Sequence, residues 1–325
     1  MSPMTLLEAQ DLVKHFPVRR GLFSRTLGAV RAVDNISFTI EAGRTLGVVG
    51  ESGCGKSTTA KLVLKLEEPT AGAIRFQGRS LADLDARGLS DYRRSVQAVF
   101  QDPYASLNPR MRVGAIVAEP LVTNERLAAA EVNRRILKLL EVVGLPERSR
   151  DLFPHEFSGG QRQRIAIARS LALEPKLVVL DEPVSALDVS IRAQILNLLR
   201  DLQARLGLAY LFIAHDLAAV AHMSHTVAVM YLGKIVEVGD ARTIATQPKH
   251  PYTQALFSAA LPSHPAEQRE EIVLPGEVPS PLNPPGGCRF HPRCPRVMPR
   301  CAQEEPKLRL VNSRLTACHL YDEAG

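Results

Sequence analysis

The chain has 325 residues, 40 Lys plus Arg against 34 Asp plus Glu, and a formal net charge of +6. Its 45% apolar and 23% charged residues are those of a folded globular protein and exclude a collagenous, disordered or coiled-coil chain. At about 150 residues per domain the length predicts two domains, or one large domain with an appendage. No run approaches the ~20 apolar residues of a spanning helix. The most apolar windows, Leu208 to Ala214 and Thr226 to Leu232, are strand-sized. The opening residues MSPMTLLEAQ lack a basic region followed by a long apolar core, so the expectation is a cytosolic protein. A positive balance suits nucleic acid or an anionic membrane surface, yet an ordinary solvated basic surface accounts for it more simply.

In chain order, Thr45 to Gly50 (TLGVVG) predicts a buried strand running into a glycine-rich turn. A helix should follow from near Lys56 to about Leu66, and residues 74–77 and 96–100 read as short strands. Glu131 to Val143 places Val132, Ile136, Leu139, Leu140 and Val143 at helical spacing and stops at Gly144. Gly159 to Leu173 predicts another helix, and Leu177 to Leu180 a fully apolar strand ending on Asp181 and Glu182. Ile191 to Leu206 reads as a long amphipathic helix, then Ala209 to Ala214 as a strand ending at His215. Strands alternating with helices, polar at the strand ends, predict an α/β fold on a mostly parallel sheet. From Pro262 to Pro306 the chain holds 11 of its 23 prolines, which excludes regular helix and central strand.

Gly50-Glu51-Ser52-Gly53-Cys54-Gly55-Lys56-Ser57 fits the P-loop pattern, between a predicted strand and a predicted helix. Its glycines let backbone N–H groups wrap phosphates, and the helix N-terminus adds a favourable dipole. Lys56 would reach the β- and γ-phosphates and Ser57 would ligate Mg²⁺. Cys54 reads as a small loop residue. At the end of LVVLDEP, Asp181 suits Mg²⁺ and Glu182 suits polarisation of the attacking water. Ser158-Gly159-Gly160-Gln161, directly before a helix, is either a plain N-cap or a second anion-binding nest.

GESGCGKS, VFQDP, FSGGQ, LVVLDEP, SALD and IAHD, in this order and spacing, resemble the ATP-binding-cassette (ABC) ATPases over residues 50–216. The resemblance implies a P-loop core with a RecA-like parallel sheet, an N-terminal antiparallel β subdomain and a helical subdomain near residues 106–164. It also implies two cassettes sandwiching two ATP molecules. Phe16 then resembles the aromatic that stacks on adenine. Gly50 to Ser57 with Thr58 form the phosphate loop, and Gln101 resembles the glutamine that senses Mg²⁺. Ser158, Gly159, Gly160 and Gln161 resemble the signature that completes the partner's ATP site, with Phe157 in place of the commoner leucine. Asp188 resembles an interface aspartate and His215 the histidine that contacts the γ-phosphate.

GESGCGKST, VFQDPYASLNPR, FSGGQRQRIAIARSLAL, KHPYTQAL and PGEVPSPLNPPGGCRFHPRCP are further similar to ATPase subunits of dipeptide and oligopeptide importers, chiefly the second ATPase of dipeptide systems. This implies an ATPase domain over residues 1–262 and an importer-type C-terminal region over 263–325. It implies a peripheral protein on the cytoplasmic face of the membrane, paired with a second, related ATPase. Two permease subunits, an extracytoplasmic peptide-binding protein and no nucleic acid complete the expected partners. Importers of nickel or glutathione remain alternatives, as does a soluble ABC ATPase acting on nucleic acid or in translation. A regulatory module without turnover is disfavoured by the intact Lys56, Asp181, Glu182 and His215.

Cys288, Cys294, Cys301 and Cys318 lie within the last 38 residues, interleaved with Arg289, Arg293, Arg296 and Arg300. In a reducing compartment such a cluster reads first as a metal site. The gaps of five, six and sixteen residues do not form zinc knuckles, whereas four irregularly spaced thiolates suit a [4Fe–4S] cluster. The importer family implies the same cofactor. Zinc and unliganded thiols stay open, with His291 and His319 as surface histidines or, less simply, substitute ligands.

Overall fold

The computed structural model describes residues 4–20, 25–102, 106–259 and 271–322. The strands are β1 (Thr5–Arg20), β2 (Arg25–Glu41), β3 (Thr45–Val49), β4 (Ala71–Phe76), β5 (Arg79–Ser80) and β6 (Val96–Val99). They continue as β7 (Leu177–Asp181), β8 (Ala209–Ile213), β9 (Thr226–Tyr231), β10 (Lys234–Asp240), β11 (Arg309–Val311) and β12 (Arg314–Thr316). The α-helices are α1 (Lys56–Val63), α2 (Ala86–Ser95), α3 (Val113–Asn124), α4 (Ala129–Val142) and α5 (Gly159–Leu171). After them come α6 (Val189–Leu206), α7 (Leu217–Met223), α8 (Ala241–Thr246) and α9 (Pro251–Ser258). The chain divides into two compact units.

One unit gathers Glu41–Arg44 and Asp83–Phe212. Its strands stand in the order β8-β7-β6, with β6 and β7 parallel from Val96 opposite Leu177 to Val99 opposite Leu180. Apart from the terminal Asp181, β7 and β8 are buried along their length, as expected of strands covered on both faces. Helix α3 packs on α4 and α5. Helix α4 stops where Gly144 turns to φ 72° and donates to the Glu141 carbonyl, a left-handed C-terminal stop. Helix α5 ends two residues before the expected Leu173, because Glu174 takes φ 50° and donates to Leu171.

The other unit comprises Thr5–Ile40, Thr45–Ala82 and the chain from Ile213 onward. Four strands form one sheet in the order β2-β1-β4-β5, with β1 antiparallel to β4 and a bulge between Gln10 and Val13. The unit's other strands stand side by side in a sheet in the order β11-β12-β10-β9-β3. Only β3 and β9 are parallel there; β9, β10, β12 and β11 follow antiparallel. The sheet is thus mixed, because two tight hairpins extend it. Leu232 and Gly233 (φ 46° and 82°) turn β9 into β10, and Asn312 and Ser313 (φ 47° and 66°) turn β11 into β12. Two consecutive positive φ values give the turn whose twist matches paired strands. Helix α1 ends at Val63 instead of Leu66, since Lys65 takes φ 51° and the Leu66 N–H closes on the Lys61 carbonyl. Between Glu271 and Leu308 the described chain holds only short 3₁₀ turns, as the proline content requires.

Candidate active site

The phosphate-loop motif leaves the fully buried β3 at Gly50, with φ 152°. A Cβ on Gly50 would stand 2.1 Å from the Met230 carbonyl oxygen, and one on Gly55 (φ 111°) 2.2 Å from that of Ala32. Backbone crowds both positions, so neither admits a side chain. Lys56 is buried, and its Nζ donates to the carbonyls of Gly50 at 2.7 Å and Glu51 at 3.0 Å. The ammonium therefore closes the loop from inside. Ser52, Gly53 and Ser57 are exposed, and no side chain caps the start of α1. An uncapped helix start beneath a glycine loop is an anion site. Burial pushes the Cys54 thiol up, with the Lys56 ammonium opposing, so Cys54 is a small neutral filler.

Glu51 is held at both ends. Its N–H donates to the buried Tyr252 hydroxyl at 2.9 Å, and its carboxylate meets the Arg293 guanidinium at 2.9 and 3.2 Å. No local pattern marks Tyr252 or Arg293 as neighbours of this loop; only KHPYTQAL and the cysteine zone hint at them. Phe16 is half-buried on β1, with Lys14 Nζ 4.9 Å from its ring centroid. His215 is exposed between β8 and α7, next to Asp216, which caps α7 by accepting from Ala218 and Ala219.

The remaining predicted residues belong to the unit of β6, β7 and β8. Gln101 is exposed just after β6, and Asp181 closes β7. Glu182 follows at φ 51°, its carbonyl accepting from the Ser185 N–H at 3.3 Å and hydroxyl at 3.1 Å. A carboxylate residue in the left-handed region is uncommon, and such strain gathers at functional sites. Ser158 and Gln161 cap α5 reciprocally. The Ser158 hydroxyl accepts from the Gln161 N–H at 3.4 Å, and Gln161 Oε1 accepts from the Ser158 N–H at 2.9 Å. The N-cap and the nest are therefore the same four residues. A Cβ on Gly160 would lie 2.4 Å from Ile191 Cγ2 of α6, and Phe157 is buried beside the exposed Ser158. Asp188 is exposed at the N-cap of α6 and makes no side-chain bond to the helix.

The four C-terminal cysteines are free, with Cys301 buried and the others half-buried. Burial pushes the Cys288 thiol up to about 12 and Cys318 up to about 11, with neighbouring cysteines adding to each. Cys294 is raised by burial with Cys301 adding. The thiols thus share one field. Cys288 donates its N–H to the Cys301 carbonyl at 2.8 Å. Among the described residues no three His, Cys, Asp or Glu side chains are gathered closely enough to hold a metal ion. His319 spends both ring nitrogens, on Asp322 at 2.6 Å and the Glu304 carbonyl at 2.9 Å, which corrects its reading as a substitute ligand. His291 has Nδ1 on the Cys288 carbonyl at 2.9 Å.

The ABC transporter family matches residues 33–185, and the oligopeptide/dipeptide transporter C-terminal region matches residues 236–301. Dipeptide transport ATP-binding protein DppF of Escherichia coli is 51% identical over 98% of this chain and 95% of its own length. The chain belongs to the ABC transporter ATPases. Oligopeptide transport ATP-binding protein AppF of Bacillus subtilis is 50% identical, with 98% of each chain covered. Among solved structures, cbiO1 of Clostridium perfringens superposes with a TM-score of 0.65 at 29% identity, covering 75% of this chain and 91% of that one. The dimeric cassette MJ0796, bound to ADP and Pi, gives 0.64 at 28% identity over 73% and 99%. As an ABC transporter ATPase with the oligopeptide/dipeptide C-terminal region, the chain binds and hydrolyses ATP with Mg²⁺ and works with permeases and a dimeric ATPase partner. Among the described residues no helix is long and apolar enough to cross a membrane.

Proposed function

We propose that the chain is the ATPase subunit of a di- or oligopeptide importer, peripheral on the cytoplasmic face of the membrane. It pairs head to tail with a second, related ATPase beneath two permease subunits, which receive cargo from an extracytoplasmic peptide-binding protein. The carrying observation is a closed P-loop with a buried Lys56 in the same chain as the importer-type region at residues 236–301. Names of relatives matching nearly end to end, dipeptide and oligopeptide transport, support the cargo class. Residues 1–262 form the ATPase domain, with its helical subdomain near 106–164, and residues 263–325 the importer-specific region.

In this mechanism Phe16 stacks on adenine, and the backbone from Gly50 to Thr58 surrounds the phosphates. Lys56 turns its charge to the β- and γ-phosphates. Ser57, Gln101 and Asp181 would hold Mg²⁺, which neutralises charge on the phosphate oxygens. Glu182 takes a proton from the attacking water as its oxygen bonds to the γ-phosphorus and the bond to the ADP oxygen breaks. ADP and inorganic phosphate leave. His215 contacts the γ-phosphate, Ser158 to Gln161 contact the ATP on the partner's P-loop, and Asp188 stands at the interface. Cys288, Cys294, Cys301 and Cys318 would hold a [4Fe–4S] cluster through their thiolates. It would order a proline-rich segment too poor in apolar residues to form its own core.

Ser158→Arg should leave ATP binding to the isolated chain intact and abolish turnover in the complex reconstituted with permeases. Full turnover by the isolated chain would overturn the head-to-tail arrangement. Peptide-stimulated hydrolysis in proteoliposomes tests the cargo, and co-purifying RNA or DNA in place of permeases would favour the nucleic-acid alternative.

A further inference from the structure

The loop from Cys288 to Cys294 meets the P-loop through the pair of Arg293 and Glu51. Phe290 is 1% exposed and sits among Tyr231, Tyr252 and His250, with ring centroids 5.2, 5.5 and 5.7 Å away. Tyr252 is the residue whose hydroxyl receives the Glu51 N–H. Arg289, also buried, bonds the Leu232 carbonyl and the Asp34 carboxylate. Three residues after Phe290, Arg293 donates its N–H to the Phe290 carbonyl at 3.0 Å and its Nε to the Pro275 carbonyl at 3.4 Å. Its guanidinium is then committed to Glu51, with 9% of the arginine side chain and 28% of the glutamate side chain exposed.

Glu51 places a negative charge inside a loop built to receive phosphate. Uncompensated, that carboxylate would repel the incoming anion, and in a half-buried setting solvent screens little of the repulsion. The Glu51 carbonyl is also one of the two that hold Lys56 Nζ, so displacement of Glu51 displaces the lysine. The charge that faces Glu51 comes from Arg293 of the C-terminal region. We propose that Arg293 is a positioning residue of the nucleotide site: by neutralising and anchoring Glu51, the cysteine-bearing loop holds the P-loop in its phosphate-receiving form. This rests on the reading of Gly50 to Ser57 as the ATP site. It gives the importer-specific tail a task in the cassette's own chemistry.

Mg-ATP titrations of the full-length chain by calorimetry test the proposal, together with KM and kcat for ATP in the assembled complex. Arg293→Met should weaken Mg-ATP binding on the order of tenfold, the loss expected when a charged hydrogen-bonded contact goes. KM should rise with it while kcat at saturating ATP changes little, the mark of ground-state binding. Glu51→Gln removes the repulsive charge, so the double variant Glu51→Gln/Arg293→Met should recover the part of the affinity that the uncompensated carboxylate cost Arg293→Met. A merely structural arginine would give no such rescue. Wild-type affinity in Arg293→Met, or a double variant as weak as the single, would overturn the proposal. Should Arg293→Met not fold, Arg293→Gln is read in its place with the same two outcomes. A wild-type chain that binds no Mg-ATP would strike at the site reading itself, whereas equal binding by wild type and variants strikes only at Arg293.

Discussion

Glu182→Gln should bind Mg-ATP as the wild type does and hydrolyse it at least about 10²-fold more slowly, the usual contribution of a general base. The amide keeps the size of the carboxylate and its place after β7 but cannot take up the water's proton. The backbone at Glu182 already sits at φ 51°, braced by two bonds from Ser185 to its carbonyl. Because that bracing uses only the main-chain carbonyl of Glu182, the substitution should leave the turn intact. Stopped hydrolysis should also lock the ATPase pair closed around two nucleotides, visible as a stable dimer by size exclusion in ATP. Wild-type turnover in this variant would remove Glu182 from its role. Lys56→Ala should act earlier, losing nucleotide affinity outright, because the charge that binds phosphate and the bonds closing the loop on Gly50 and Glu51 vanish together.

Protein purified anaerobically should be brown, with about four irons and four sulfides per chain, and Cys294→Ser should bleach it. Proteolysis should then open the segment from Glu271 to Leu308, which has no ladder hydrogen bonds of its own. The hairpin of β11 and β12 should resist longer, since β12 pairs with β10 through Glu237 opposite Thr316 and Val238 opposite Leu315. The buried Arg314, bonded to the Gln247 carbonyl, adds to that anchor. Burial holds the Cys288 and Cys318 thiols protonated in the absence of metal. Loading a cluster on these thiols should therefore release protons, and reconstitution should be slower at lower pH. Colourless protein with one zinc per chain would replace the cluster with the zinc alternative.

The sequence by itself determined the chemistry. Glycines at 50 and 55, Lys56 and Ser57 mark a phosphate loop because few other residues can place N–H groups around an anion, and the run LVVLDEP marks a buried strand ending in two carboxylates. Placement of β3, β7, β8, α4 and α6 was legible because apolar patterning reports directly which side of an element is buried. The helix ends at Val63 and Leu171 were not, since Lys65 and Glu174 turn left-handed without the glycine that would announce it.

Only the tertiary structure decided what the C-terminal region touches. Proline content forbade regular structure there, yet said nothing of β11 and β12 joining the edge of β10, because a three-residue strand carries no readable period. Nor could the four interleaved arginines be told apart. Arg289 and Arg293 are buried on Asp34 and Glu51, 255 and 242 residues away in sequence, whereas Arg300 lies exposed on Glu304, four residues along. Local sequence specifies a charge and its nearest neighbours. The partner of a buried charge is set by where the folded chain brings an opposite one, and that depends on every element between them.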